Sequence, residues 1–166
     1  MRKYYLIDKK GERVSQNTFD YVFGFHGSDL AHFKNNGKYG FINNKGEIII
    51  ECKYEEVEGF SESIAAVKQN GFWGGINEKG DTLIEFKFDN SFDFREGLSR
   101  IKGKGGYGFI DIKGELIIPY QYSFAWIFRD SLASVTKSGA SWFIDKKGTP
   151  LNTFQYSLHL YMQPLY

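Results

Sequence analysis

Tyr107-Gly-Phe-Ile-Asp-Ile-Lys-Gly-Glu-Leu-Ile-Ile-Pro119 is the stretch that decides how this chain folds, because the chain writes it five times. Its centre, Asp/Asn-x-Lys-Gly, recurs at Asp8 to Gly11, Asn43 to Gly46, Asn77 to Gly80, Asp111 to Gly114 and Asp145 to Gly148. The closing glycines stand 35, 34, 34 and 34 residues apart. Self-similarity at a fixed period of roughly 20–50 residues marks a repeat architecture.

Worked outward from that centre, each copy reads as a β-hairpin. Asp or Asn at the first turn position accepts hydrogen bonds from its own backbone two residues on. A glycine in the left-handed region after a type I turn makes the bulge that matches strand twist. An isoleucine precedes every turn: Ile7, Ile42, Ile76, Ile110 and Ile144. Three residues past each glycine comes Val14, Ile49, Leu83, Ile117 or Leu151, so both strands are expected to be half-buried. Eight past it lies Phe19, Tyr54, Phe88, Tyr122 or Tyr156, and fourteen past it Phe25, Phe60, Phe94 or Phe128. A third strand follows, as in residues 64–67, 98–101 and 132–135, and then a glycine turn at Gly37, Gly71, Gly105 or Gly139. Asn36-Gly37 and Asn70-Gly71 carry the strongest short hairpin signal.

The expected fold is all-β: tandem three-stranded antiparallel meanders in an open, solenoid-like array, with units at 1–35, 36–69, 70–103, 104–137 and 138–166 of one domain, 1–166. The alternative is a closed five-bladed, propeller-like ring, against which 34 residues is short for a blade of about 40–45. The tail 157–166 either caps the last unit or supplies the strand that the first unit lacks.

These residues resemble the WG-repeat (KWG-repeat) family of bacterial proteins. The third unit carries Gly71, Trp73, Gly74, Ile76, Asn77 and Gly80, then Phe94, Glu96, Gly97 and Leu98. The second and fourth units write Tyr39-Gly40 and Tyr107-Gly108 for Trp-Gly; the outer units depart to Tyr4-Tyr5 and Ser141-Trp142. Degenerate ends are what a capped array requires. The resemblance implies an interaction module and transfers no catalytic residue.

Composition narrows the class further. Thirty aromatics, mostly at repeated positions, supply a core, and a net charge of +1 calls for neither nucleic acid nor an anionic membrane. No apolar run reaches 18 residues, so no membrane helix is expected. The chain enters its first repeat at once, without room for a signal-peptide core, and its single cysteine, Cys52, excludes an internal disulfide. Together these favour the cytoplasm.

Few residues suggest chemistry. Gly103-Lys-Gly-Gly-Tyr-Gly108 matches the dinucleotide fingerprint, but a strand rather than a helix follows it, so it reads as a hairpin. His26, His32 and His159 lack metal-ligand spacing, and Cys52 has no base beside it. No cofactor is expected, and an enzyme lacks a convergent nucleophile, base and orienting group. The candidate binding residues are an acidic group, Glu55, Glu56, Glu58 and Glu62, suited to a basic partner protein, and two irregular tryptophans, Trp126 and Trp142. Glu58 stands where the other repeats carry Phe23, Phe92, Trp126 and Leu160. The expected function is non-catalytic binding of another protein, as an immunity or adaptor protein; the alternative is a lectin-like domain for a carbohydrate or nucleotide.

Overall fold

The computed structural model describes residues 3–25 and 29–151, and among these there is no helix. Among the described residues fourteen strands form four antiparallel sheets. The first sheet holds β1 (Tyr21–Val22), β2 (Leu30–Asn35), β3 (Lys38–Asn43) and β4 (Ile48–Tyr54). The second holds β5 (Glu56–Ser61), β6 (Ile64–Gln69), β7 (Phe72–Ile76) and β8 (Thr82–Phe88). β9 (Leu98–Gly103), β10 (Gly106–Asp111) and β11 (Leu116–Tyr122) form the third; β12 (Phe124–Ala125), β13 (Ala133–Lys137) and β14 (Ala140–Ile144) form the fourth. Every sheet is a meander in chain order. The sheets are phased differently from the sequence units, because Asn35 pairs with Lys38 across the 35/36 boundary. One residue, Glu55, separates β4 from β5, so the chain steps directly from one sheet to the next.

The turns follow the sequence chemistry. In all five Asp/Asn-x-Lys-Gly copies the Asp or Asn Oδ1 accepts two backbone N–H groups at 2.8–3.0 Å. The fourth-position glycines all lie at φ between +74° and +87°. The opposite hairpins turn through two residues of positive φ, as in Asn36-Gly37 (51°, 80°), Asn70-Gly71 (52°, 82°) and Ser138-Gly139 (52°, 81°). That is the type I′ geometry that twists with its strands. The 103–106 hairpin is the exception: Gly106 rather than Gly105 takes the positive φ.

The glycine of the Trp-Gly pair has a steric cause. Between Tyr39↔Tyr54 and Phe41↔Ile50, β4 spends two more residues than β3, and the resulting bulge lies over Gly40. The same shift lies over Gly74 and Gly108. A Cβ on Gly40 or Gly108 would strike the carbonyl oxygen of Ile50 or Ile118, and on Gly74 it would sit 2.8 Å from that of Ile84. The outer repeats carry Tyr5 and Trp142 in this slot, and their pairing is thin. Residues 3–19 are joined by the isolated bridges Tyr4↔Phe19 and Ile7↔Arg13, and the last repeat by Ile144↔Pro150.

A second register shift decides which residues these half-buried strands bury: Ile49, Leu83 and Ile117 are the extra residues between pairs such as Phe41↔Ile50 and Ile42↔Ile48, and they are exposed while Ile50, Ile84 and Ile118 are buried. The core is divided into one cluster per pair of successive units. Phe41, Ile50 and Tyr54 of the first sheet meet Phe60, Ala65, Val67 and Ile76 of the second. Two repeats further on, Phe109, Ile118 and Tyr122 meet Phe128, Ala133, Val135 and Ile144 in the same manner. Between them, Trp73, Ile84 and Phe88 meet Phe92, Phe94, Ile101 and Ile110, and Phe19 of the leading hairpin packs on Ala31, Phe33 and Ile42. Such nearest-neighbour burial is that of a quasi-one-dimensional repeat protein. Among the described residues no strand of the first sheet pairs with one of the fourth, so the array is open there. The tail 157–166, on which ring closure was to depend, lies outside the described residues.

Candidate interaction surface

The acidic residues of the second repeat have separate partners. Glu55 Oε2 accepts the Gly71 N–H at 3.0 Å, with Lys38 at 3.7 Å, and the backbone bond chiefly holds its pKa below the ordinary glutamate value. Asp20 serves the preceding turn, accepting from Asn36 N–H at 2.8 Å; the Lys3 ammonium at 2.6 Å is the larger cause of its lowered pKa. Glu62 reaches into the next repeat and accepts the Gly97 N–H at 2.9 Å. Glu96 repeats that tie on Ser131 N–H at 2.9 Å and pairs with Lys146 at 3.1 Å. Glu56 is paired with Lys68 at 2.6 Å. Glu58 is exposed on β5. Two of the four glutamates therefore cap turns, one is paired with Lys68, and Glu58 is exposed on its strand.

The two tryptophans separate in the same way. Trp142 is half-buried against the cluster between the third and fourth sheets, its ring 6.2 Å from Tyr122. Its Nε1–H is buried without a partner among the described residues. Trp126 is 60% exposed. It stands edge-on to Phe124 at 5.3 Å, and Phe124 stands edge-on to Tyr107 at 6.0 Å. Arg100 lies 5.2 Å from the Tyr107 ring centre and donates to the Ala125 carbonyl at 2.8 Å; Lys102 lies 5.8 Å from the same ring. This is a row of aromatic edges with cations beside it, fixed by β10, β12 and the cross-strand pairing of β9 with β10.

Phe124, Tyr107, Arg100 and Lys102 were not singled out together as a site from the sequence. The signal for part of the cluster is a lysine five residues before the Trp/Tyr-Gly aromatic. Lys34 lies 4.8 Å from the ring of Tyr39, Lys68 5.9 Å from Trp73, and Lys102 5.8 Å from Tyr107. These cation–aromatic contacts recur with the repeat, so part of the cluster is scaffold; Trp126 and Phe124 are its variable, exposed members.

The remaining candidates have structural roles. Gly103 to Gly108 spans the β9–β10 hairpin, with Gly103 paired to Gly106. His32 packs on Phe23 with ring centres 4.0 Å apart, and His26 and His159 lie outside the described residues. Cys52 is half-buried, and desolvation raises its thiol pKa, which keeps it protonated. It lines a shallow pocket of about 250 Å³ with Phe33, Asn35, Asn36, Lys38, Ile48 and Glu51. Among the described residues no three His, Cys, Asp or Glu side chains are grouped to hold a metal ion, and no helix is long and apolar enough to cross a membrane.

Periodic meanders, a bulge over each Trp/Tyr-Gly glycine and carboxylate ties between repeats define a tandem β-repeat protein. The chain matches the WG containing repeat at residues 6–39, 39–71, 73–106 and 107–139, and it belongs to that family. No curated protein matches it. Among solved structures it is similar to Kluyveromyces lactis Hsv2, a β-propeller, at 11% identity and a TM-score of 0.55. That match covers 85% of this chain and 53% of Hsv2. Hsv2 with a complete loop 6CD matches at 11% identity and 0.53, over 90% and 55% of the two chains. The form with that loop replaced by a Gly-Ser linker matches at 10% and 0.53, over 84% and 54%. The likeness is one of fold: successive sheets stacked as propeller blades are, in an arc spanning about half of the Hsv2 chain.

Proposed function

We propose that this WG-repeat chain is a non-catalytic binding module of the bacterial cytoplasm that engages another protein, as an immunity or adaptor protein does. The observation that carries the reading is the exposed Trp126–Phe124 pair beside Arg100 and Tyr107. Trp, Tyr and Arg are the residue types that dominate binding energy at protein interfaces. Exposure of a large aromatic where the fold does not need it is the kind of feature that function retains. Glu58, on the equivalent strand of the second sheet, supplies an outward charge suited to a basic rim on the partner. The turn-capping Glu55 and Glu62 belong to the scaffold.

The test is a pull-down from native lysate with wild type and a Trp126→Ala/Phe124→Ala double variant, after equal melting of the two has been verified. A partner protein captured by wild type and lost with the double variant supports the reading; equal capture by both overturns it. A flat, exposed indole also suits a sugar ring. Wild-type binding on a glycan array that disappears with Trp126→Ala selects the lectin-like alternative.

A further inference from the structure

The three lysines that lie against the aromatic of a Trp/Tyr-Gly pair differ in what meets their charge. Lys68, over Trp73, is paired with Glu56 at 2.6 Å, across β5 and β6. Lys34, over Tyr39, lies in the field of the Asp20 carboxylate. Lys102, over Tyr107, forms no ion pair among the described residues, and Arg100 adds a second cation to the same ring. The cause lies in single letters of the repeat. At the tenth position past the turn glycine the second repeat has Glu56, the third Asn90 and the fourth Phe124. Residues 90–92 also do not pair with β9 as β5 pairs with β6. Asp89, in the slot of Asp20 and Glu55, makes no hydrogen bond or ion pair through its carboxylate among the described residues. Two cations therefore share the Tyr107 ring with no carboxylate to meet them. Beside them the fourth repeat sets Phe124 and Trp126, where the second has Glu56 and Glu58.

We propose, resting on the reading that this surface binds another protein, that the partner presents an acidic side chain next to an apolar one. The carboxylate sits between Arg100 and Lys102 at the Tyr107 ring, and the apolar side chain packs on Trp126 and Phe124. The second repeat supplies the template, since Glu56 on Lys68 beside Trp73 is the same pairing made within the chain. Arg100 suits a carboxylate: its Nη1 donates to the Ala125 carbonyl at 2.8 Å, which fixes the guanidinium and leaves other N–H groups to donate. An anion between the two cations also relieves their mutual repulsion, and the rings around it exclude water. The geometry disfavours single-stranded nucleic acid, the other polyanion that cations and aromatics attract. Such a strand needs ring faces on which successive bases stack. Here Trp126 meets Phe124 at 79° and Phe124 meets Tyr107 at 67°, so neighbouring rings turn across one another.

The test is selection of random peptides displayed on phage against the full chain, followed by affinity measurement on the selected peptides as synthetic molecules. The expected result is enrichment of Asp or Glu next to Trp, Phe, Leu or Pro. Affinity should fall about tenfold for Lys102→Glu and for Trp126→Ala/Phe124→Ala, and should also fall as salt rises. Lys102 is exposed, so equal melting of wild type and variant shows that the fold is kept. Lys102→Gln, which adds no opposing charge, should weaken the same peptides less. The decisive arm is a charge swap: a selected peptide with its acid replaced by lysine should prefer Lys102→Glu to wild type. Peptides that need Trp126 and Phe124 but bind Lys102→Glu as tightly as wild type overturn this inference and leave the protein-binding reading standing. Selected peptides that bind the Trp126→Ala/Phe124→Ala variant as tightly as wild type overturn both. A library that yields no wild-type binder overturns this inference alone, the pull-down remaining the test of the broader reading. Single-stranded poly(U) bound by wild type and lost with Lys102→Glu, in place of any acidic peptide, overturns it as well.

Discussion

The junction between the first and second sheets and that between the third and fourth are built from the same residues, two repeats apart, while the junction between the second and third is built differently. In the matching pair, Phe41 stands edge-on to Phe60 at 4.9 Å, and Phe109 to Phe128 at 4.8 Å. At the middle junction Gly75 occupies the slot of Phe41 and Phe109. The missing ring is supplied by Phe92, 5.7 Å from Phe94 and 5.6 Å from Phe88, at 4% exposure. Glu58 and Trp126 occupy the slot of Phe92 in the flanking repeats, and both are exposed. One volume can therefore be filled from either of two positions. Where a phenylalanine on the strand fills it, the slot on the connection comes to the surface and is free to be charged or aromatic.

The largest effect expected from this difference is at Phe92. Phe92→Ala removes a buried ring and should cost about 3–5 kcal/mol, whereas Trp126→Ala, in the same slot, should cost less than about 0.5 kcal/mol. Denaturant midpoints with unchanged slope measure both. A companion cycle sharpens the comparison. Gly75→Phe alone overpacks the junction, since even a Cβ there meets Ile84 at 3.0 Å, and should cost about 1–3 kcal/mol. Combined with Phe92→Ala it rebuilds the arrangement of the flanking junctions, and the pair should couple favourably by about 0.5–3 kcal/mol. Strict additivity would break the claim that the two positions share one volume.

Much of the fold was legible because its causes are local. The Asx hydrogen bonds, the positive-φ glycines and the Asn-Gly hairpins lie within a few residues of the letters that specify them. The burial of Ile50 in place of Ile49 was not legible, because it follows from a one-residue bulge at Ile49 that only the strand pairing reveals. The acidic group read as a candidate site because linear proximity hides partners at long range: Gly71 for Glu55, and Gly97, in the next repeat, for Glu62. Trp126 was legible as an irregular position, but its exposure depends on Phe109 in a neighbouring sheet.

The bulge itself separates inner from outer repeats at the next level of effect. Gly108→Ala places a Cβ against the Ile118 carbonyl, and backbone offers no rotamer with which to yield. A loss of about 1–3 kcal/mol is expected, measured by thermal or chemical unfolding. Trp142→Gly, which restores the inner-repeat letter at the end of the array, should not unfold the inner sheets. Hydrogen exchange at β7 and β10 that stays protected in Trp142→Gly and weakens in Gly108→Ala would uphold the distinction, and equal effects of both would remove it.

Acid should weaken the junction between the third and fourth sheets. Glu96 ties the third sheet to the fourth, and its pKa is lowered by Lys146 and then by the Ser131 N–H. A group whose pKa is lower folded than unfolded stabilises fully above its unfolded value, and that contribution is lost as pH falls through the folded one. Stability should therefore be level near neutrality and decline below the ordinary glutamate range, with Glu55, Asp20 and Asp145 contributing in the same direction. Glu96→Gln should lower the denaturant midpoint modestly at neutral pH and make it less sensitive to acid, because one proton-uptake site is gone. A variant with the acid dependence of wild type would show that this tie is not a linked group.

The smallest expected effect is also the most direct probe of the shared-volume account. Glu58→Phe puts the letter of Phe92 into the second repeat, and a reading of the repeat by sequence alone would count it as a restored core residue worth several kcal/mol. The structure predicts otherwise. Phe41 already fills the junction that Glu58 borders, at zero exposure and edge-on to Phe60, so a ring at position 58 has no cavity to enter and stays in solvent. The denaturant midpoint should move by no more than about 0.5 kcal/mol in either direction. The reverse exchange, Phe92→Glu, should be severely destabilising, because it empties the Gly75 junction and brings a carboxylate to its edge. If Glu58→Phe instead stabilised the protein by more than about 1 kcal/mol, the second repeat would hold unfilled volume, and the outward placement of Glu58 would have been bought at the expense of packing for the sake of a partner.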